Sequence, residues 1–211
     1  MSRSSELGGP NHEEKRMNAP ARVTLISHAT TSAVRRAAFP SDESIEDAVR
    51  ERIRNIHWKS ERAQHVYSGP EKRAQETALA LGLAAAVDPA LRDCNYGKWA
   101  GRELKELQRE HPEEVALWLS APDAVPHCGE SIRNLVARVS AWLGERTKSG
   151  YTIAVTHPAV VRGIIVSILG APVEAFWRID IVPLTLTDIR SSGRSWTLRS
   201  TGTPLDSNGP A

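Results

Sequence analysis

The sequence predicts an α/β domain of three layers, α/β/α, around a mostly parallel sheet. Three observations predict it. "RVTLIS" (22–27) and "YTIAVT" (151–156) read as buried strands. Helix and strand signals alternate along the chain between and around them. Each of the two strands is followed at once by a histidine, His28 and His157, and then by a helix signal. In open α/β sheets ligands sit beyond the carboxyl ends of the strands, where these histidines fall.

The elements follow in order. After the first strand, Ser41 is expected as the N-cap of a helix "ESIEDAVRERIRNI", with Glu43 and Glu46 in its first turn. "QHVYS" (64–68) is a short strand, and Pro70 opens the helix "EKRAQETALALG". "AAAVD" (84–88) reads as another short strand. Residues 102–120 are helical and charged, in two pieces broken at Pro112. "ESIRNLVARVSAWLGERTK" is an amphipathic helix with Ile132, Leu135, Val139 and Trp142 on one stripe. Strand 151–156 leads into the helix "PAVVRGIIVSILG", opened near Pro158 and ended by Gly170. "IDIVPLTLTDIR" and "RSWTLRS" close the domain as a hairpin pair.

Composition bounds the function. The 211 residues fit one domain, expected over 21–200, between disordered segments at 1–20 and 201–211. A hydrophobic fraction of 40% with 25% charged residues reads as soluble and globular. A net charge of +2 is too balanced to argue for nucleic acid or an anionic membrane. The first twenty residues have no apolar core for a signal peptide, and no run of about eighteen apolar residues exists to span a bilayer. The cytoplasm is the expected compartment. Cys94, His127, Cys128 and His157 match no zinc spacing, so no metal site is expected. No Gly-rich nucleotide loop is present, and no cofactor is expected.

The chemistry is expected where the strand ends meet. "VYSGP" delivers Arg73 just inside the next helix. Two imidazoles, a guanidinium and helix N-termini on one edge make a pocket for a phosphate. Taken singly, a histidine at a strand end is more often structural or merely exposed, and an arginine in "PEKRAQE" more often a solvated helix face.

The order and local dress of the whole set point further. From about Arg22 to Leu198 the chain resembles the histidine phosphatase superfamily, whose fold is phosphoglycerate-mutase-like. "LISHATT" stands at the place of an Arg-His-Gly-x-Thr signature, and "YSGPEKRAQETA" is similar to a Ser-Ser-Pro-x-x-Arg-Ala-x-x-Thr-Ala block. "LRDCNYGKWAG" and "PHCGESIRNLVARV" resemble the acidic block and the Gly-Glu-Ser block, and "IAVTHPAVVRGII" the second histidine's strand and helix. The resemblance implies His28 as nucleophile, Asp93 as proton donor, His157 as second histidine and Arg73 as phosphate-binding arginine. Thr31 and the N–H of Ala159 are expected to face the phosphate as well.

The departures matter. The arginine that precedes the family's nucleophile is here Ser27, a hydroxyl that cannot grip a phosphate bidentately. Ser27 is kept as a phosphate-binding position. Arg35, or less so Arg36, is expected to fold back over the pocket in place of the missing guanidinium. The implied function is metal-independent hydrolysis of a small phosphomonoester through a phosphohistidine. A catalytically weak phosphate-binding protein is the alternative from another class. A phosphoglycerate mutase is disfavoured, because Arg73 and Asp93 lie only 20 positions apart and Asp93 and Glu130 only 37. The segment 100–127, with Trp99, Trp118 and His127, is expected as a lid and specificity wall that Trp58 could join, with packing the better reading for Trp118. The expected partner is a small phosphorylated metabolite. A homodimer is possible through the helix "VVRGIIVSIL" or the last hairpin.

Overall fold

A computed structural model describes residues 20–56, 58, 63–146 and 150–205. The strands are β1 (Ala21–Ser27), β2 (His65–Ser68), β3 (Ala86–Val87), β4 (Gly150–Thr156), β5 (Thr185–Ser191) and β6 (Trp196–Pro204). They form one six-stranded sheet in the order β3-β2-β4-β1-β5-β6. β3, β2, β4 and β1 run parallel, whereas β5 lies antiparallel to both β1 and β6.

The α-helices are α1 (Ser32–Arg35), α2 (Asp47–Arg54), α3 (Lys72–Ala80), α4 (Leu104–Glu110), α5 (Pro112–Ser120), α6 (Ile132–Gly144) and α7 (Pro158–Ile168). Successive strand residues point to opposite faces, and this sorts the core into two layers. Val23, Leu25 and Ala154 pack with α6 and α7 on one face. Ile26, Ile153 and Val155 pack with α2 and α3 on the other. The expected stripe on α6 is buried throughout, and Ser131 caps that helix by accepting the Asn134 N–H. Apolar residues 159–161 and 164–166 of α7 are also buried in this domain's own core. No described helix is long and apolar enough to cross a membrane.

Several boundaries correct the sequence reading. Ser41 is not an N-cap, because α2 opens at Asp47 behind Glu46. Residues 41–45 are instead tied to α3. The Ser41 carbonyl accepts from Arg73, Asp42 takes the Lys72 N–H, and Glu76 takes the N–H of the buried Ile45. The strand expected over 84–88 shrinks to Ala86–Val87. The last hairpin starts at Thr185, since Leu184 turns the chain with φ 57° and donates its N–H to Ser27. The tail set apart from residue 201 onward begins instead inside β6, which pairs with β5 as far as Pro204. Residues 1–19 and 206–211, expected to be disordered, lie outside the described residues.

Candidate active site

The register of three strands builds the site. β1 and β4 pair with Ser27 opposite Thr156, so His28 and His157 leave neighbouring strands at the same level. The His28 N–H donates to the Thr156 carbonyl at 2.8 Å, and the two imidazole centroids lie 5.2 Å apart. On the far side of β4, Ser68 pairs with Val155, and Gly69 donates its N–H to the Val155 carbonyl. A Cβ on Gly69 would lie 2.7 Å from His157 Nε2 and 2.9 Å from the Leu91 carbonyl. Glycine is therefore required for the chain to pass His157 this closely. The next residues deliver Glu71 and, in the first turn of α3, Arg73.

His28 is buried. Its Nδ1 is 2.7 Å from the Ala29 carbonyl, a contact that puts the ring proton on Nδ1 and leaves Nε2 as a lone pair. Burial, with the charges of His157 and Arg73, pushes this imidazole down to about 3. It is neutral at any ordinary pH, as an imidazole nucleophile must be. Its loop is pinned to α3, because the Ala29 N–H donates to Thr77, whose hydroxyl donates to the Arg73 carbonyl.

Arg73, 2% exposed, donates to the Ser41 carbonyl at 2.9 Å and to Asp93 Oδ2 at 2.7 Å. That carboxylate oxygen lies 3.5 Å from His157 Nδ1. His157 donates through Nε2 to Glu71 at 2.6 Å, and the other Glu71 oxygen accepts the Asp93 N–H. Burial pushes the Asp93 carboxyl up, but the charges of His157 and Arg73 outweigh it and hold the group low. Asp93 is thus an internal anion resting between the cation and the second imidazole. Its loop is fixed by Arg138, which grips both Glu130 oxygens at 2.9 and 2.7 Å and donates to the carbonyls of Ala90 and Arg92.

A cavity of about 120 Å³ opens in front of this floor. His28, Thr31, Val34, Glu43, Asp93 and Tyr96 line it together with Pro158, Ala159 and Arg162 from α7. The space is large enough to seat a tetrahedral anion. The Ala159 N–H belongs to the first turn of α7, where amides lack intrahelical partners.

The structure brings His28, Asp93, Thr31 and Ala159 to the cavity, sets Arg73 and His157 against Asp93 rather than in the lining, and separates two expected residues from the group. Ser27 does not line the cavity; its hydroxyl is buried without a partner. Arg35 does not fold back. The single turn of α1 gives Ala33 and Val34 to the cavity wall, and Arg35 points outward onto Glu46 at 2.7 Å with its side chain 60% exposed. Arg36 pairs with Glu103 at 3.7 Å. The specificity wall at 100–127 is corrected as well, since no residue of that segment lines the cavity. Trp99, Trp118 and His127 are buried in an aromatic cluster with Phe39 and Tyr96, where removing large rings from water outweighs any service at the site. Trp58 packs in the other layer, near Ile26. Sequence reasoning missed Glu71, Glu43, Tyr96 and Arg162. Glu71, Tyr96 and Arg162 stand inside the quoted blocks, and Arg162 is one helical turn beyond Pro158, which is the signal that would have found it.

The family model described as histidine phosphatase superfamily (branch 1) matches residues 23–203. A provisionally named phosphoserine phosphatase 2 of Hydrogenobacter thermophilus is 27% identical over 84% of this chain and 93% of its own. Phosphoglycerate mutase-like protein 4 of Arabidopsis thaliana is 29% identical over 68% of this chain and 69% of its own. Among solved structures, the α-ribazole phosphatase of Shigella flexneri superposes with a TM-score of 0.77 at 22% identity, covering 90% of this chain and 99% of that one. A mycobacterial glucosyl-3-phosphoglycerate phosphatase gives 0.76 at 19% identity, over 87% and 99%. These structures share the fold.

Proposed function

Because the chain belongs to the histidine phosphatase superfamily, we propose that it hydrolyses a small phosphomonoester through a phosphohistidine on His28. One observation carries this reading: a neutral, buried imidazole with a free Nε2 faces a cavity backed by a guanidinium, a carboxylate and a second imidazole. The substrate's phosphoryl group takes the place Asp93 now holds between Arg73 and His157. Nε2 of His28 attacks phosphorus in line while the ester P–O bond breaks. Arg73 and His157 Nδ1 stabilise charge on the phosphoryl oxygens.

Displacement also prepares Asp93 for its part. Released from Arg73 and set beside a phosphate's negative charge, its buried carboxyl loses what held it low and takes up a proton. It gives that proton to the leaving alkoxide. It then accepts one from the water that attacks phosphorus and breaks the P–N bond. Side chains supply the positive charge, so the proposed reaction is metal-independent. Proteins named as phosphatases of phosphoserine, α-ribazole phosphate and glucosyl-3-phosphoglycerate support the substrate class.

A second reading has its own observation. Position 27 holds no guanidinium, and Asp93 is engaged with Arg73, which fits a protein that binds phosphate and turns it over weakly. Phosphate release from an aryl phosphate and a phosphomonoester panel, with chelator present, separates the two. Turnover that His28→Ala abolishes supports the enzyme. Its absence on every ester, with inorganic phosphate still raising Tm, supports the binding protein.

A further inference from the structure

The phosphatase reading leaves the site with one guanidinium at its floor, one of whose donors is held by the Ser41 carbonyl and another freed only as the phosphoryl group displaces Asp93. We infer that Arg162 is the second guanidinium of the phosphate site, in place of the arginine that the first motif lacks. The inference rests on that reading for the identity of the anion.

Four observations carry it. Pro158, Ala159 and Arg162 line the cavity from one face of α7, and Arg162 is the one cationic side chain in that lining. The helix that presents it cannot drift. A Cβ on Gly163 would lie 2.8 Å from Leu135 and 3.0 Å from Val139, so α7 is seated closely on α6 immediately beside Arg162. Donors are available, too. Its Nε is buried without a partner; the ion pair it makes among the described residues is with Asp180, 3.7 Å away and 88% exposed, and its guanidinium lies 5.7 Å from the centre of the Phe176 ring. A surface pair of that kind is worth little, whereas an incoming anion relieves the unmet buried donor. Finally, Tyr96 lines the same cavity, and the charges of Arg162 and Arg73 both reach its hydroxyl, although burial outweighs them.

Glu43 stands in the same lining, accepting from the Thr31 hydroxyl, and its charge opposes a bare anion. A second cation offsets it. The planar fork of an arginine also suits two phosphoryl oxygens at once, which the Ser27 hydroxyl cannot do.

Calorimetric titration of the full chain with inorganic phosphate tests the assignment without requiring turnover. Arg162→Met is expected to weaken phosphate roughly 10- to 100-fold, the value of a charged hydrogen bond. Arg162→Lys is expected to fall in between, and Arg35→Ala to stay within about twofold. An unchanged far-ultraviolet spectrum and Tm for Arg162→Met separate lost binding from lost folding. Phosphate affinity within twofold of the wild type in a folded Arg162→Met protein would overturn the proposal. So would a loss of kcat/KM confined to esters with a second anionic group and absent on p-nitrophenyl phosphate, which would make Arg162 a reader of the far end of the substrate. A wild type that neither binds phosphate nor turns over any ester sinks this proposal and the phosphatase reading together, and one that turns over p-nitrophenyl phosphate without binding phosphate sinks this proposal alone if Arg162→Met leaves kcat/KM unchanged. A wild type that binds phosphate through Arg162 but turns over no ester upholds this proposal and sinks only the reading it rests on.

Discussion

The floor of the cavity and its rim are built by different means. At the floor, His28, Arg73, Asp93 and His157 are all less than a tenth exposed, and strand register and backbone hydrogen bonds fix them. At the rim, the one-turn helix α1 and the loop to Glu43 carry exposed ion pairs such as Arg35–Glu46. A buried floor tolerates little displacement, because unpaired charge there is costly. The rim is solvated, and its pairs contribute little. Substitutions at the floor should therefore be severe, and those on the outer side of the rim nearly silent.

The largest expected effect is at His28. His28→Ala should lower turnover by at least about 10⁴-fold, as loss of a nucleophile does, and should abolish an acid-labile phosphoryl label trapped by rapid quench. A labelled His28→Ala protein would move the nucleophile elsewhere. Gly69→Ala comes next. Its Cβ meets the Leu91 backbone and His157, so we expect a loss of about 1–3 kcal/mol in stability from overpacking and roughly 100-fold in kcat from the shifted imidazole. Urea midpoints and kcat check both, and a silent Gly69→Ala would show that the floor has more slack than its contacts imply.

Glu71→Gln keeps the shape and removes the charge that His157 faces. A kcat lower by roughly 10- to 100-fold, the value of one charged hydrogen bond, is expected with Tm nearly unchanged. A kcat equal to wild type across the pH profile would reduce Glu71 to a packing residue.

The pH dependence of stability sharpens the contrast further. His28 has a folded pKa of about 3 against an ordinary 6.5. The unfolded chain takes up this proton first as pH falls. The stabilising contribution is complete above about pH 6.5 and is lost progressively toward pH 3, at up to about 1.4 kcal/mol per pH unit. Urea midpoints of His28→Gln between pH 7 and 4 should fall less steeply than those of the wild type by that slope; parallel curves would mean that His28 is not held neutral by the fold. The smallest effect is Arg35→Ala, for which stability within about 0.5 kcal/mol of wild type is expected. A large loss of kcat there would restore Arg35 to the site.

Much of this molecule was legible in the chain itself. Buried runs at 22–27 and 151–156, each closed by a histidine, gave the sheet and its active edge, because strand direction and right-handed crossovers leave few other arrangements. The block order located His28, Arg73, Asp93 and His157. The α6 stripe was readable from its 3.6-residue period. Helix starts were harder: Ser41 has a good capping side chain, yet the contacts of residues 41–45 with α3 displaced α2 to Asp47.

What only the tertiary structure decided is which way the rim side chains point. Arg35 and Arg162 are alike in sequence terms, each a few residues beyond a strand-end histidine. Local pattern says that both lie on helices. It does not say that α1 ends after one turn with Arg35 facing Glu46, or that α7 lies against α6 with Arg162 toward the cavity. Nor does it say that Asp93 rests on Arg73, or that Trp99 is buried against Trp118 rather than walling the site. Periodicity and strand order are properties of neighbours along the chain. The direction of a side chain at a rim, and the partner it finds, depend on segments far apart in sequence that only packing brings together.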